Sequence, residues 1–155
     1  MKNNEIASSQ RLDALFERIA SLIEQGRRLV CNTLNIVETR TRYEVGRYIY
    51  EDEQQGERAA YGQQVLRNLS ARLTASYGPD WTYDTLKRCR FFYLAYSNST
   101  QAPRFTLSWS HYLVLMRIEN TDERSFYEIE ATEQQWSVKH HPRWPVGPWR
   151  KCRWL

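Results

Sequence analysis

Apolar residues recur every three or four positions along the first third of the chain, and this spacing restricts the possible fold more than any other feature. Such a 3.6-residue period is typical of an α-helix with one apolar face. A second apolar run, from Leu29 to Ile49, follows Gly26. Residues 9–54 are therefore either one long helix or two helices separated near Gly26, because an internal glycine costs only about 1 kcal/mol relative to alanine. Ser8 and Ser9 are the expected N-caps. The first run comprises Leu12, Leu15, Phe16, Ile19, Leu22 and Ile23.

Four further segments are predicted to be helical. The first, 62–77, ends at Tyr77-Gly78-Pro79, because glycine accepts the left-handed conformation and proline cannot continue a helix. Its inner face is formed by Val65, Leu66, Leu69 and Leu73. Thr82 is expected to cap the second, 83–96. Strand signals are nearly absent, so the predicted fold is all-α, a helical bundle with a helix-turn-helix-like pair at 62–77 and 83–96. The remaining two helices are predicted near 109–118 and 122–135.

The composition changes after residue 139. Residues 140–155 contain three of the six tryptophans and three of the five prolines, and the prolines exclude a helix. We therefore predict one helical domain over residues 1–139 and an irregular tail outside the fold. A frameshift or truncation that replaced the natural continuation is the leading hypothesis for this tail.

Composition narrows the classes of function. The mean hydropathy is −0.73, and no apolar run approaches the ~18 residues that span a bilayer. The polar start and three scattered cysteines favour a cytoplasmic protein without disulfides. The net charge of +4 does not by itself indicate nucleic-acid binding, because four basic residues of the tail account for it. No cofactor, membrane or small-molecule substrate is indicated.

Local clustering of charge is more informative. Residues 62–94 carry five basic and two acidic side chains, whereas 119–133 carry one basic and six acidic. Two helices joined by a short glycine-containing turn resemble a helix-turn-helix unit. Leu86, Cys89, Tyr93 and Tyr96 should then face the core. The same basic residues would also be expected on a helix surface whose charges serve only solubility. The candidate DNA-binding residues are Arg67, Arg72, Thr82, Tyr83, Lys87, Arg88 and Arg90.

Other chemistry is weakly indicated. His111 is more typical of a buried hydrogen-bonding residue than of a catalyst, and Phe91-Phe92-Tyr93 more typical of a core than of a base-stacking surface. His140, His141 and Cys152 match no standard zinc spacing. None of the four lysines has an acidic residue two positions before it, so the D/E-x-K element of many nucleases is missing. No catalytic residue and no metal site are predicted.

Several sequence blocks resemble a known family. Tyr43-Glu44-Val45-Gly46-Arg47-Tyr48-Ile49, followed by Glu53-Gln54-Gln55-Gly56, is similar to the "YWEIGRxI…EQQG" segment of YhcG-type bacterial proteins. The resemblance covers roughly residues 10–139. It implies a helical N-terminal domain of uncharacterised function, usually followed by a PD-(D/E)XK nuclease-like domain, and it supplies no catalytic residues. Further matches are Leu86-x-x-Cys89-Arg90-x-Phe92-Tyr93, Leu107-Ser108-Trp109-Ser110-His111-Tyr112 and Trp136-Ser137-Val138.

In the family the Trp-Ser-Val block leads into another helix and then the nuclease domain, whereas here Lys139 is followed by the unrelated tail. The predicted function is therefore a non-catalytic module that binds duplex DNA for a nuclease partner and lacks the nuclease domain. One alternative is a protein-interaction or oligomerisation module that pairs through the apolar face of residues 12–49. Another is a non-functional gene remnant.

Overall fold

The computed structural model describes the backbone of residues 2–55, 59–98 and 103–138, and the side chains of 10–54, 62–98 and 103–138. Within these ranges the chain forms five helices and no strand, which confirms the all-α prediction. None of these helices has a stretch long and apolar enough to cross a membrane. The helices are α1 (Lys2–Gln55), α2 (Ala59–Tyr77), α3 (Tyr83–Tyr96), α4 (Trp109–Leu115) and α5 (Thr121–Glu133).

Helix α1 is continuous through Gly26, where a β-carbon would meet nothing within 4 Å. This settles the choice between one helix and two. The prediction that Ser8 and Ser9 cap the helix is wrong, because α1 begins at Lys2 and both serines lie inside it. Capping preferences misplaced the start of α1, because a polar segment without proline or glycine can extend a helix at little cost in free energy.

The chain divides into two units, Met1–Asn35 and Ile36–Leu155. In the first unit the apolar face of α1 is uncovered. We call this face the apolar stripe, and its side chains range from 48% exposed at Ile19 to 69% exposed at Leu22. An ordinary amphipathic helix buries such a face, so the stripe is the largest departure from what periodicity alone leads one to expect. It consists of Leu12, Leu15, Phe16, Ile19, Leu22, Ile23, Leu29, Val30 and Leu34.

The other predicted helices are present with adjusted ends. Helix α2 begins three residues before the predicted start at 62, and α3 matches its predicted bounds. Helix α4 ends at Leu115 rather than 118, because the bonds from Arg117 N to Val114 O and from Ile118 N to Leu115 O form a tighter turn. Helix α5 begins after Asn120, whose side chain accepts from the backbone N–H groups of Asp122 and Glu123. The predicted tail, 140–155, lies outside the described residues.

The core of the second unit is built from aromatic rings around Phe92, which is fully buried. Its ring lies 5.1–5.7 Å, centroid to centroid, from the rings of five neighbours. Such tilted and edge-on contacts are the geometries that aromatic pairs prefer. Phe91 is 49% exposed, so the prediction that the whole Phe91–Tyr93 triplet is core is wrong at its first residue. The five neighbours are Tyr43, Tyr96, Phe105, Trp109 and Tyr112.

The backbones of α1 and α3 are in contact at Gly46. A β-carbon there would overlap the carbonyl oxygen of Cys89 and lie 3.1 Å from the backbone N of Arg90. Glycine is therefore required because backbone meets backbone at this crossing. Cys89 is fully buried, and burial raises the pKa of its thiol to about 11, so the side chain acts as a small neutral core residue.

Replacing Gly46 by alanine is expected to destabilise the second unit by about 1–3 kcal/mol, as overpacking of a well-packed core does. The clash is with main-chain atoms, which cannot rotate away. Urea unfolding followed by circular dichroism measures the change. Gly62→Ala is the matched control, and it should be neutral or slightly stabilising because the nearest atom to a β-carbon there, Glu53 Cγ, lies 4.0 Å away. Equal effects at the two positions would contradict the close crossing.

Polar side chains form hydrogen bonds that cross the aromatic core. The hydroxyl of Tyr112 donates to Glu128 Oε1 over 2.6 Å and accepts from the backbone N–H of Thr106 over 3.2 Å. Burial raises the pKa of the Glu128 carboxyl. Arg124 donates to the carbonyl of Ala95 over 2.8 Å. The bonds of Glu128 and Arg124 connect α5 to α4 and to α3, and the Thr106 bond attaches the preceding loop to α4.

His111 is half-buried and hydrogen-bonded at both ring nitrogens, which agrees with the predicted structural role. Its Nδ1 lies 2.7 Å from Ser108 Oγ, and its Nε2 lies 2.7 Å from the carbonyl oxygen of Trp136. A carbonyl can only accept, so the proton is on Nε2 and the serine hydroxyl donates to Nδ1. Burial lowers the pKa of His111, because the imidazolium form is poorly solvated there.

Protonation of His111 is therefore expected to lower the free energy of unfolding as the pH decreases. Below about pH 6.5 the unfolded chain takes up a proton on His111 before the folded chain does, which favours unfolding. The raised pKa of Glu128 acts in the opposite direction, so the measurement is the difference between the wild type and His111→Gln in urea unfolding from pH 7.5 to 5.5. The variant should lose less stability than the wild type over this range. Parallel pH profiles would contradict a neutral buried imidazole.

Candidate nucleic-acid interface

Tyr83, the first residue of α3, contacts one cation of α2 and one of its own helix. The guanidinium carbon of Arg67 on α2 lies 5.3 Å from the centre of the Tyr83 ring, and the Nζ of Lys87 on α3 lies 5.5 Å from it. Both are cation–π distances. Arg67 and Lys87 are exposed, and Tyr83 is half-buried. The structure thus brings together three of the seven predicted residues, which we call the Tyr83 platform.

The turn between α2 and α3 fixes the position of this platform. Two hydroxyl groups of α2, those of Ser70 and Thr74, donate to the carbonyl oxygen of Trp81 over 3.0 and 3.2 Å. Gly78 has a φ of 101°, a left-handed conformation that allows α2 to end there. Because both hydroxyls belong to α2 and the acceptor lies two residues before Tyr83, the ring is held against α2.

Thr82 is the N-cap of α3, as predicted. Its Oγ1 accepts from the backbone N–H of Thr85 over 3.2 Å. Asp84 in the first turn adds a negative charge that favours the positive end of the helix dipole. Thr82 is therefore occupied in capping, and the structure shows a structural use for this predicted DNA-binding residue.

Thr82→Ala is expected to cost about 1 kcal/mol of unfolding free energy, the usual effect of removing an N-cap acceptor. Thr82→Ser retains the hydroxyl and should restore most of the stability. The midpoint of urea denaturation reports both changes. If serine is as destabilising as alanine, the methyl group rather than the cap matters at this position.

Trp81 is held by a buried cation. The guanidinium of Arg42 on α1 lies 5.3 Å from the Trp81 ring and 5.2 Å from the Trp109 ring, between the two indoles. Two hydrogen bonds of 3.0 and 2.8 Å tie it to Glu38 Oε1. A buried charge is tolerated only when it is paired, and the carboxylate and two ring faces satisfy this condition. Sequence reasoning missed this residue, because its partners lie far apart in the chain.

The remaining predicted cations lie elsewhere. Arg72 is exposed but is five residues from Arg67, about 140° around the helix. It lines a groove of about 550 Å³ whose apolar wall includes Ile49 and Leu69. Arg90 forms an ion pair with Glu53 of α1, so its charge is already compensated. Arg88 is half-buried and also engaged with neighbouring groups.

No salt bridge joins any of these cations to the acidic helix α5 within the described part of the chain. Nor do the described residues bring three or more histidine, cysteine or acidic side chains into a metal-binding group. His140, His141 and Cys152 lie outside the described residues. The DNA-binding roles of the seven residues stay predictions. Of the seven, Arg67, Tyr83 and Lys87 lie together in the structure.

The described residues form an all-helical domain, and they contain no group of three or more histidine, cysteine or acidic side chains that could hold a metal ion. The chain belongs to the DUF1016 N-terminal domain family, whose model matches residues 18–143. This confirms the predicted YhcG-type N-terminal domain. No nuclease domain is matched, and the predicted truncation remains a hypothesis.

The chain is 30% identical over 161 residues to "Putative nuclease YhcG" of Escherichia coli (strain K12). The alignment covers 83% of this chain and 43% of that relative, so the chain spans less than half of the relative's length. No solved structure matches the chain.

Proposed function

We propose that this domain is a non-catalytic module that contacts duplex DNA for a nuclease of the same family. The observation that carries the proposal is the Tyr83 platform, on which Arg67 and Lys87 lie 5.3 and 5.5 Å from one ring. Both cations are exposed and contact the same ring, so an anion bound beside Tyr83 would be attracted by two positive charges. A backbone phosphate supplies such an anion.

The charge around the platform supports binding to phosphate. Among the described residues neither Arg67 nor Lys87 forms a salt bridge with a carboxylate. Both charges are therefore available at the surface. Asp84 is exposed one turn before Lys87 on α3 and offsets part of the positive charge. The platform thus favours weak, sequence-independent contact rather than reading of base edges.

We assign catalysis to the part of the relative that its alignment with this chain does not cover. The relative is named as a nuclease, and the chain aligns with 43% of it. The matched family model is that of the N-terminal domain. We therefore place the nuclease activity in a separate domain or partner and assign the positioning of DNA to this domain.

Charge reversal tests the platform. Arg67→Glu combined with Lys87→Glu should abolish most of the binding to a fluorescein-labelled duplex of mixed sequence, measured by anisotropy. Two phosphate contacts predict that log K falls against log salt with a slope of about −1.8 in the wild type. Each single reversal should reduce that slope by about one. Asp84→Asn should strengthen binding, because it removes the neighbouring negative charge.

Arg104→Glu is the matched control, since it makes the same charge change at an exposed position before α4. It should leave both affinity and slope close to those of the wild type. Affinity lost equally in the control and the platform variants would show a general charge effect. A wild type that does not bind, or a double reversal that binds normally, would refute the proposal.

A further inference from the structure

The apolar stripe needs a covering surface that the described residues of the chain do not supply. Its nine side chains are 48–69% exposed, and from Leu12 to Leu34 the stripe extends about 33 Å along α1. Exposed apolar surface of this extent marks an interaction site. In proteins most of the stability of an amphipathic helix comes from packing of its apolar face.

The stripe has a three-four repeat that suits helix pairing. Leu12, Ile19, Gly26 and Thr33 recur every seven residues, and Leu15, Leu22 and Leu29 follow them at a spacing of three. These residues correspond to positions a and d of three heptads, and we call them the seam. Side chains at such positions pack as knobs into holes of a facing helix. Phe16, Ile23 and Val30 widen the face beside this seam.

Two members of the seam are small or polar, and they decide the orientation of a self-pair. A parallel pair would place Gly26 against Gly26, which leaves a void, and Thr33 against Thr33. In an antiparallel pair a positions meet d positions, so that Leu22 fills the space over Gly26 of the other copy and Leu15 covers its Thr33. Ile19 then meets Leu29. Each of the two small or polar residues therefore faces a leucine.

We propose that the apolar stripe is the dimerisation surface of this protein, covered by the same stripe of a second copy in antiparallel orientation. A second copy is favoured by this self-complementary pattern of size. Charge does not oppose it, because residues 10–35 carry four basic and three acidic side chains and two copies approach almost without net repulsion. The proposal is independent of DNA contact, since the platform and the stripe share no residue.

The mass in solution tests self-association. Light scattering on the full chain should give about twice the 18.6 kDa of one chain. Ile19→Asp places a charge in the seam and should reduce the mass to that of one chain. Ser21→Asp adds the same charge on the opposite, polar face of α1 and should leave the dimer intact. Arg67→Glu with Lys87→Glu should also leave it intact, so failure of the DNA proposal would not be mistaken for failure of this one.

Cross-linking tests the orientation. With Cys31 and Cys152 replaced by serine, a mixture of Leu15→Cys and Thr33→Cys chains should form the mixed disulfide on oxidation. Leu15→Cys alone should not cross-link, because its counterpart lies about 27 Å away in the antiparallel pair. Efficient cross-linking of Leu15→Cys with itself would indicate a parallel pair and overturn the proposal. A wild-type chain that remains a monomer at all concentrations, or an Ile19→Asp chain that remains a dimer, would also overturn it.

Discussion

The second unit is organised by the approach of two backbones, α1 at Gly46 and α3 at Cys89. Because no side chain separates them there, the residues on either side are brought into direct contact. Tyr43 packs on Phe92 and Tyr93 at one side, and Tyr50 packs on Tyr93 at the other. The aromatic core and the Glu53–Arg90 ion pair both depend on this geometry, since a wider separation would detach α1 from the rings of α3.

The buried polar groups determine which charges remain at the surface. Arg42 is retained between two indoles and Glu38, and Arg90 is neutralised by Glu53. Both are basic residues, and neither is available to a phosphate. Arg67 and Lys87 are available because both are exposed and neither forms a salt bridge among the described residues. A count of basic residues along the chain therefore overestimates the cationic surface, and only the pairing of each residue shows how much of it is accessible.

The molecule presents two surfaces of different chemistry, a small cationic platform in the second unit and a long apolar stripe in the first. A phosphate contact is screened by salt and weak per contact, whereas apolar pairing is insensitive to salt. Two copies would double the number of platforms, and a bivalent protein holds DNA more tightly than one platform can. Membership of a nuclease-associated family is consistent with such a division between assembly and DNA contact.

The sequence by itself determined the helices. The all-α class, the bounds of α3, the Thr82 cap and the turn at Gly78 follow from local periodicity, capping chemistry and the conformational preferences of glycine and proline, all of which act within a few residues. Only the tertiary structure decided which faces are covered. The stripe from Leu12 to Leu34 has the pattern of a buried face and is exposed, and Phe92 rather than Phe91 became the centre of the core. The roles of Arg42, Gly46 and Arg90 depend on contacts with residues 37 to 67 positions away in the chain. Local sequence rules cannot predict such contacts, because burial and ion pairing depend on which segment packs against a helix.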